Sequence, residues 1–415
     1  MGGITEPMPP CLTSQIWQSY TYFMKISIIG AGIAGLTTAI SLRKFRPDIQ
    51  LEIFEGSAQM KAVGAGLGLG ANAVAAFDHI GIKPEVLAVS NVLDGFRILD
   101  AKGRLITQTN NIAINRNLQT ISNFTVHRAD LQQVLLAQLQ KDIPVYLNRR
   151  VWDFRSNGFG VDIRFADGTH ANTDYVIATD GIHSVFREKL LPSSKIRFAG
   201  YTCWRGVVDG KTLKGLNPAE AIRANSASET WGLGKRFGMV PLPDDRIYWF
   251  ACVNAPKAKD ERFAAVGKKE LLNIFDGFHS PVQEIIAATD PGSILWNDII
   301  DFAPVKQFAF KRVVLLGDAG HATTPNMGQG ACQAIEGAAI LGSIMAKCPD
   351  TEAAFRDFEQ VRLKRTSWIV NRSWQLGKIA QLRNPILAGL RNSLMRLVPD
   401  SVNERQVRNL LAIHF

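Results

Sequence analysis

A buried-looking strand, Lys25-Ile26-Ser27-Ile28-Ile29, runs into the turn Gly30-Ala31-Gly32-Ile33-Ala34-Gly35, and this junction restricts the fold more than any other part of the chain. The segment that follows, Leu36 to Leu42, reads as a helix, and Ile49 to Phe54 reads as a second strand that ends at Glu55. A lone G-x-G-x-x-G says little. The order strand, turn, helix, strand, acid is specific because each part has a task. The first glycine permits the tight turn, the second lets the backbone approach a pyrophosphate, and the third lets helix and strand pack closely. The helix N-terminus offers unpaired N–H groups and the positive end of its dipole to phosphates. Glu55 is placed to accept a hydrogen bond from a ribose hydroxyl. The reading is an α/β, Rossmann-like unit for an adenine dinucleotide.

A chain of 415 residues has room for two or more domains, and 46% hydrophobic with 20% charged residues is the balance of an ordinary soluble protein. No uncharged run is long enough to predict a transmembrane helix. The five cysteines are scattered and none forms C-x-x-C, which fits a reducing cytoplasm without a disulfide framework. The seven histidines show no ligand spacing, so no metal is expected. Residues 1–24 lack the pattern of a signal peptide and are expected to be a disordered or adventitious tail, with Met24 as an alternative start. The net charge of +10 is uneven, since residues 356–415 hold eleven Lys and Arg against four Asp and Glu. No nucleic-acid motif accompanies these charges. Ile386, Leu387, Leu390, Leu394 and Leu397 have helical spacing with Arg383, Arg391 and Arg396 between them. Two readings stay open there: a helix packed on its own domain, or a contact with a membrane surface or a lipophilic substrate's entry path.

Three apolar strands each lead to an acid: the first pair to Glu55, Tyr175 to Thr179 to Asp180-Gly181, and Val313 to Leu316 to Gly317-Asp318. Ligands of open α/β sheets lie outside the carboxyl ends of the strands, so these acids are candidate contacts. Residues around 92–125 and 197–255 alternate instead, with turn signals and the strand-like run Tyr248 to Val253. The domains expected are a discontinuous dinucleotide-binding domain (25–91, 126–196 and 301–349), an inserted, mainly antiparallel substrate sheet (92–125 and 197–300), and a C-terminal helical segment (350–415). A helix is expected between Asn123 and Gln140.

The second strong motif is Gly317-Asp318-Ala319-Gly320-His321 through Pro325-Asn326-Met327-Gly328-Gln329-Gly330, opening a long helix of small residues from Ala331. Asp318 can accept hydrogen bonds from a polyol, and Gly328 and Gly330 let the backbone close on a flat ring. The helix N-terminus then stabilises negative charge on that ring. The alternative is a glycine-rich turn that only packs a helix. His321 in this loop reads more readily as structural than as a proton carrier.

Together these residues resemble the single-component, p-hydroxybenzoate hydroxylase-like FAD monooxygenases. The match runs in order through Gly30, Gly32, Gly35, Glu55, Arg128 in His127-Arg128-Ala129-Asp130-Leu131, Asp180-Gly181, Gly317-Asp318, Pro325 and Gly328-Gln329-Gly330. The resemblance implies bound FAD, with Ala34, Val151 and Ala331 joining those residues in the cofactor-binding set. It implies transient NADH or NADPH, since no second dinucleotide fingerprint is present and Gly64 to Gly70 reads as the loop and strand beside the flavin. It further implies oxygen transfer from a flavin C4a-hydroperoxide to an aromatic or unsaturated apolar small molecule, by hydroxylation or epoxidation. The alternative on the same fold is a non-oxygenating flavoprotein, a reductase or redox sensor. Phe198 to Gly206 and Gly234 to Gly238 resemble the branch that holds urate hydroxylase, salicylate hydroxylase-like enzymes and zeaxanthin epoxidase. In the urate-type enzymes an Arg and a Tyr face the substrate at positions that match Arg236 and Tyr248, the catalytic candidates. Those enzymes carry Asp after the Pro where this chain has Asn326, and the usual Glu-Asp pair of the long helix is here Glu336-Gly337. A neutral amide cannot help deprotonate urate, which argues against urate. Further substrate-facing candidates are Trp204, Arg205, Trp231, Met239 and Phe250. A cytoplasmic monomer or homodimer is expected, with no nucleic acid and no stable membrane insertion.

Overall fold

The computed structural model describes residues 23–60, 65–139, 142–213, 225–413 and 415; the expected tail, apart from Phe23 and Met24, lies outside them. The strand Lys25–Ile29 sits inside a six-stranded sheet, flanked by Tyr175–Ala178 and Gln50–Phe54, with Val145–Tyr146 beyond the latter and Val313–Leu315 and Ala309–Phe310 beyond the former. All its pairs are parallel except that between the last two strands. Register aligns the carboxyl ends: Ile29 lies opposite Phe54 and Ala178, and Ala178 opposite Leu315. Gly30, Glu55, Asp180 and Gly317-Asp318 therefore leave the sheet at one edge, where such sheets bind ligands.

The helix Ile33–Phe45 packs against the helix Gly330–Lys347. Their approach is so close that a Cβ on Gly342 would lie 2.2 Å from the Ser41 hydroxyl oxygen. Small residues in the long helix thus serve packing as well as the turn before it.

The second sheet has seven strands in the order Leu295–Phe302, Ile196–Asp209, Arg246–Asn254, Lys235–Pro241, Ser226–Trp231, Gly95–Asp100 and Leu105–Asn110. Only Ser226–Trp231 with Gly95–Asp100 is parallel. One face packs on the helices Lys268–Ile274 and Val282–Ala288 through Trp204, Phe237, Met239, Trp249, Phe275 and Ile285. Strand side chains alternate between faces, so Arg205, Trp231, Arg236, Tyr248 and Phe250 stand on the other face. This corrects the expectation for Trp204 and Met239: both are core residues on the helix-covered face.

The helix expected between Asn123 and Gln140 is present in that interval, behind a strand. Asn123–His127 is a strand paired with Gly66–Gly70, and the helix begins at Arg128 and runs to Gln138. A period of two in Phe124 and Val126, both buried, marks that strand. The C-terminal segment forms the helices Thr351–Ala380, Pro385–Arg396 and Asp400–Leu411. Among the described residues no helix is long and apolar enough to cross a membrane, and no group of His, Cys, Asp and Glu is arranged to hold a metal ion.

Candidate active site

The site is built from the turns at the sheet's carboxyl edge. Gly30 has φ +99°, and a Cβ there would lie 2.7 Å from the Thr179 carbonyl oxygen. A Cβ on Gly35 would lie 1.9 Å from the Gly30 carbonyl oxygen. Around Gly32, in contrast, no heavy atom would come within 4 Å of a Cβ, so the middle glycine faces open space. The helix that follows has no side-chain cap and no acid in its first turn, which leaves its N–H groups and dipole available beside half-buried Ala34. The Glu55 carboxylate accepts from the backbone N–H of Ala31 at 2.8 Å and of Ser57 at 2.8 Å. It pins the glycine turn and keeps further lone pairs for a ribose hydroxyl. Arg149 donates its backbone N–H to the Glu55 carbonyl, which draws the start of the strand Val151–Ser156 alongside. The Val151 side chain is buried with Phe54 and Phe154, so only its backbone is free to meet a cofactor.

The middle of the cleft holds two carboxyls. Asp180 accepts from the Val185 N–H at 3.0 Å through one oxygen, while its other oxygen is buried without a partner. Burial pushes its pKa up to about 6, against the hydrogen bonds from Ser184 and the backbone. Next to it Gly181 has φ +80° and open space around it. Asp318 reaches solvent in the cleft yet is crowded by protein, which raises its carboxyl pKa while Arg128 pulls it down. It has no hydrogen-bonding partner in the described protein. Arg128 is exposed at the start of its helix, whose first N–H is held by the Ala65 carbonyl at 2.9 Å.

At the far end Pro325 opens a short turn that Gly328 closes with φ +62°, its N–H on the Pro325 carbonyl at 2.9 Å. Gly330 and Ala331 then begin the long helix. The Gln329 side chain is buried and accepts from Asn72 at 3.1 Å and Gln333 at 3.0 Å. What Gln329 offers a flat ring is therefore backbone. The orphaned oxygen of Asp180, the unpartnered Asp318 and the open glycine positions at 32, 181 and 328 together suit a long dinucleotide with a polyol middle.

The substrate sheet faces this end. A Cβ on Gly66 would lie 2.6 Å from Tyr248, so that tyrosine rests on the strand beside the cleft. Burial raises the Tyr248 pKa and keeps the phenol protonated. Arg236 is buried; it donates to Glu229 at 2.8 Å and to the side-chain oxygen of Asn326 at 2.9 Å. Burial would lower its pKa, but Glu229 raises it, and the guanidinium stays charged. Tyr201 donates to the same Asn326 oxygen at 3.0 Å. The Asn326 amide donates to the Thr324 hydroxyl at 2.9 Å and the Ser373 carbonyl at 3.0 Å, which fixes its orientation. Sequence reasoning missed Glu229 and Tyr201. Their faces follow from strand parity with Arg236 once the pairing is known, because Trp231 lies opposite Arg236 and Glu229 two residues back shares its side.

Behind the cleft, Glu336 is fully buried and accepts from Arg362, from Arg365 at 2.6 Å and from Asn72 at 2.8 Å. Burial alone would raise its pKa; Arg362 and Arg365 hold it below the usual value. His321 is buried, and desolvation with the nearby Arg362 lowers its pKa to about 3. It is neutral at physiological pH, which suits a structural part.

A family model described as FAD binding domain matches residues 24–367. The chain is 36% identical over 390 residues to an aurachin C monooxygenase/isomerase of Stigmatella aurantiaca, covering 93% of this chain and 98% of that one. It is 33% identical over 353 residues to an FAD-dependent urate hydroxylase of Klebsiella pneumoniae, covering 84% of this chain and 88% of that one. The crystal structure of Klebsiella pneumoniae HpxO complexed with FAD and uric acid superimposes with a TM-score of 0.83 at 29% identity, covering 94% of this chain and 97% of that one.

Proposed function

This chain belongs to the FAD binding domain family, and on that premise we propose that it is a cytoplasmic monooxygenase that uses NADH or NADPH and O₂ to hydroxylate or epoxidise a neutral, largely apolar aromatic molecule. The turn Gly30 to Gly35 and the helix behind it would take the pyrophosphate, and Glu55 the adenosine ribose. Arg128, Asp180-Gly181 and Asp318 would hold the pyrophosphate and ribityl portion. Backbone from Pro325 to Ala331 would close on the ring. When bound, FAD would supply the redox chemistry that couples nicotinamide oxidation to the activation of O₂, with these residues holding it in place.

The protein's own task is to orient the substrate and exclude water. The observation that carries the substrate class is the pairing of Arg236. Its charge is met by Glu229 at 2.8 Å, so Arg236 itself brings no unpaired cation to an anionic substrate. Around that pair stand Phe250, Trp231, Cys203 and Cys252, an apolar wall. Asn326 has no titratable group and cannot assist deprotonation. Tyr248, kept protonated by burial, is the donor suited to a ring carbonyl or hydroxyl, since the Tyr201 proton is already given to Asn326. A panel of quinolones, phenols, polyenes and purines, scored for stimulated NAD(P)H consumption and for oxygenated product, tests this. Neutral lipophilic members should give product. Turnover of urate with no turnover of any neutral compound would overturn the substrate class.

A further inference from the structure

The helix Pro385–Arg396 turns one face to the protein and leaves the other to solvent. On the inner face Ala388 and Arg391 are buried, and the Arg391 guanidinium lies 4.7 Å over the Trp231 ring. On the outer face Ile386, Leu390, Leu394 and Leu397 are 79%, 56%, 57% and 77% exposed. A contiguous apolar patch of this kind marks an interaction surface. The charge around it is one-sided: between Glu359 and Asp400 the chain has no carboxylate, and Arg396 on the helix is exposed. Lys378 and Arg383, just before the helix, are exposed. A second copy meeting this face by two-fold symmetry would set cations against cations. A surface with apolar depth and negative headgroups satisfies the leucines and the cations together.

We propose that the helix Pro385–Arg396 docks flat on an anionic phospholipid bilayer, with Ile386, Leu390, Leu394 and Leu397 in the boundary between headgroups and acyl chains and no segment spanning it. The inner face of the helix touches Trp231, which lies opposite Arg236 in the substrate sheet. Docking therefore holds that sheet against the phase in which lipophilic molecules concentrate. The surface itself carries the proposal, which stands whether or not the protein oxygenates its ligand.

The test is co-sedimentation of the full-length, flavin-loaded protein with sucrose-loaded vesicles. Vesicles of equimolar phosphatidylglycerol and phosphatidylcholine should pellet the protein, with binding weakened by salt and roughly tenfold or more weaker on phosphatidylcholine alone. The double variant Leu390→Ser/Leu394→Ser should bind the anionic vesicles about a hundredfold more weakly, since each buried leucine is worth on the order of tenfold. Its flavin content should be unchanged, because both side chains are solvent-facing. Failure of the wild type to pellet, equal pelleting of the variant, or a lipid-free dimer that the double variant dissociates would each overturn the proposal.

Discussion

Asn326 accepts a hydrogen bond from Arg236 at 2.9 Å through its side-chain oxygen, and its amide nitrogen points the other way, into Thr324 and Ser373. The polarity of this one side chain is thus dictated from both ends. A carboxylate in its place would keep the contact with Arg236 but set an oxygen against the Ser373 carbonyl. Asn326→Asp should lower stability by about 1–3 kcal/mol, the cost of a buried acceptor facing another acceptor. Urea denaturation of the flavin-loaded protein measures this, and an unchanged midpoint would show that the amide orientation does not matter.

The three fingerprint glycines differ in kind. Gly35→Ala sets a methyl 1.9 Å from a backbone oxygen and should cost about 3 kcal/mol or more, seen as poor folding or a sharply lowered Tm. Gly32→Ala meets no atom within 4 Å and should fold normally while binding FAD at least about tenfold more weakly. The expected split is thermal stability lost in the first variant and flavin affinity lost in the second. Equal effects on both properties would contradict it.

Asp318 bonds to no described protein group, so its removal should leave the fold intact. Asp318→Ala should weaken FAD binding by about 1.5–3 kcal/mol, the worth of a charge-assisted hydrogen bond. Fluorescence titration of the flavin-free protein reads this out, and an unchanged dissociation constant would remove Asp318 from the cofactor site.

Asp180 carries a pH signature. Its pKa is raised from the ordinary 3.8 to about 6, so the folded protein binds a proton more tightly than the unfolded chain does. Stability of the flavin-free protein should therefore fall as pH rises through this range. Asp180→Asn keeps the acceptor for the Val185 N–H and removes the buried charge. The variant should be more stable than wild type by about 1–3 kcal/mol at pH 7, with the difference vanishing near pH 4. A less stable variant at pH 7 would mean that the carboxylate already has a compensating partner.

What could be read from the sequence was what local spacing encodes. Gly30 to Gly35, Glu55, Asp180 and Asp318 stand at strand ends, and consecutive residues are enough to find a strand end. Pairing was not legible. Arg236 meets Asn326 across the interface between the two sheets and Tyr201 from within its own sheet, and no spacing rule links them. The choice between Trp204 and Arg205, adjacent in sequence and so on opposite faces, needed knowledge of which face the helices cover. Those helices, Lys268–Ile274 and Val282–Ala288, lie past the alternating stretch and show no marked pattern of their own. In the sequence Glu336 stands out only because Gly337, and not an acid, follows it. Its partners Arg362 and Arg365 come from the next helix and declare themselves only when the two helices pack.

Oxygen transfer is tested most directly by turnover of the flavin-loaded enzyme with a neutral lipophilic aromatic compound under isotopically labelled O₂. The expected result is NAD(P)H consumption that rises with the compound and a product carrying one labelled oxygen atom. Consumption that yields only peroxide, with no label in the compound across the whole panel, would contradict the assignment of this chain as an oxygenase of neutral aromatic molecules.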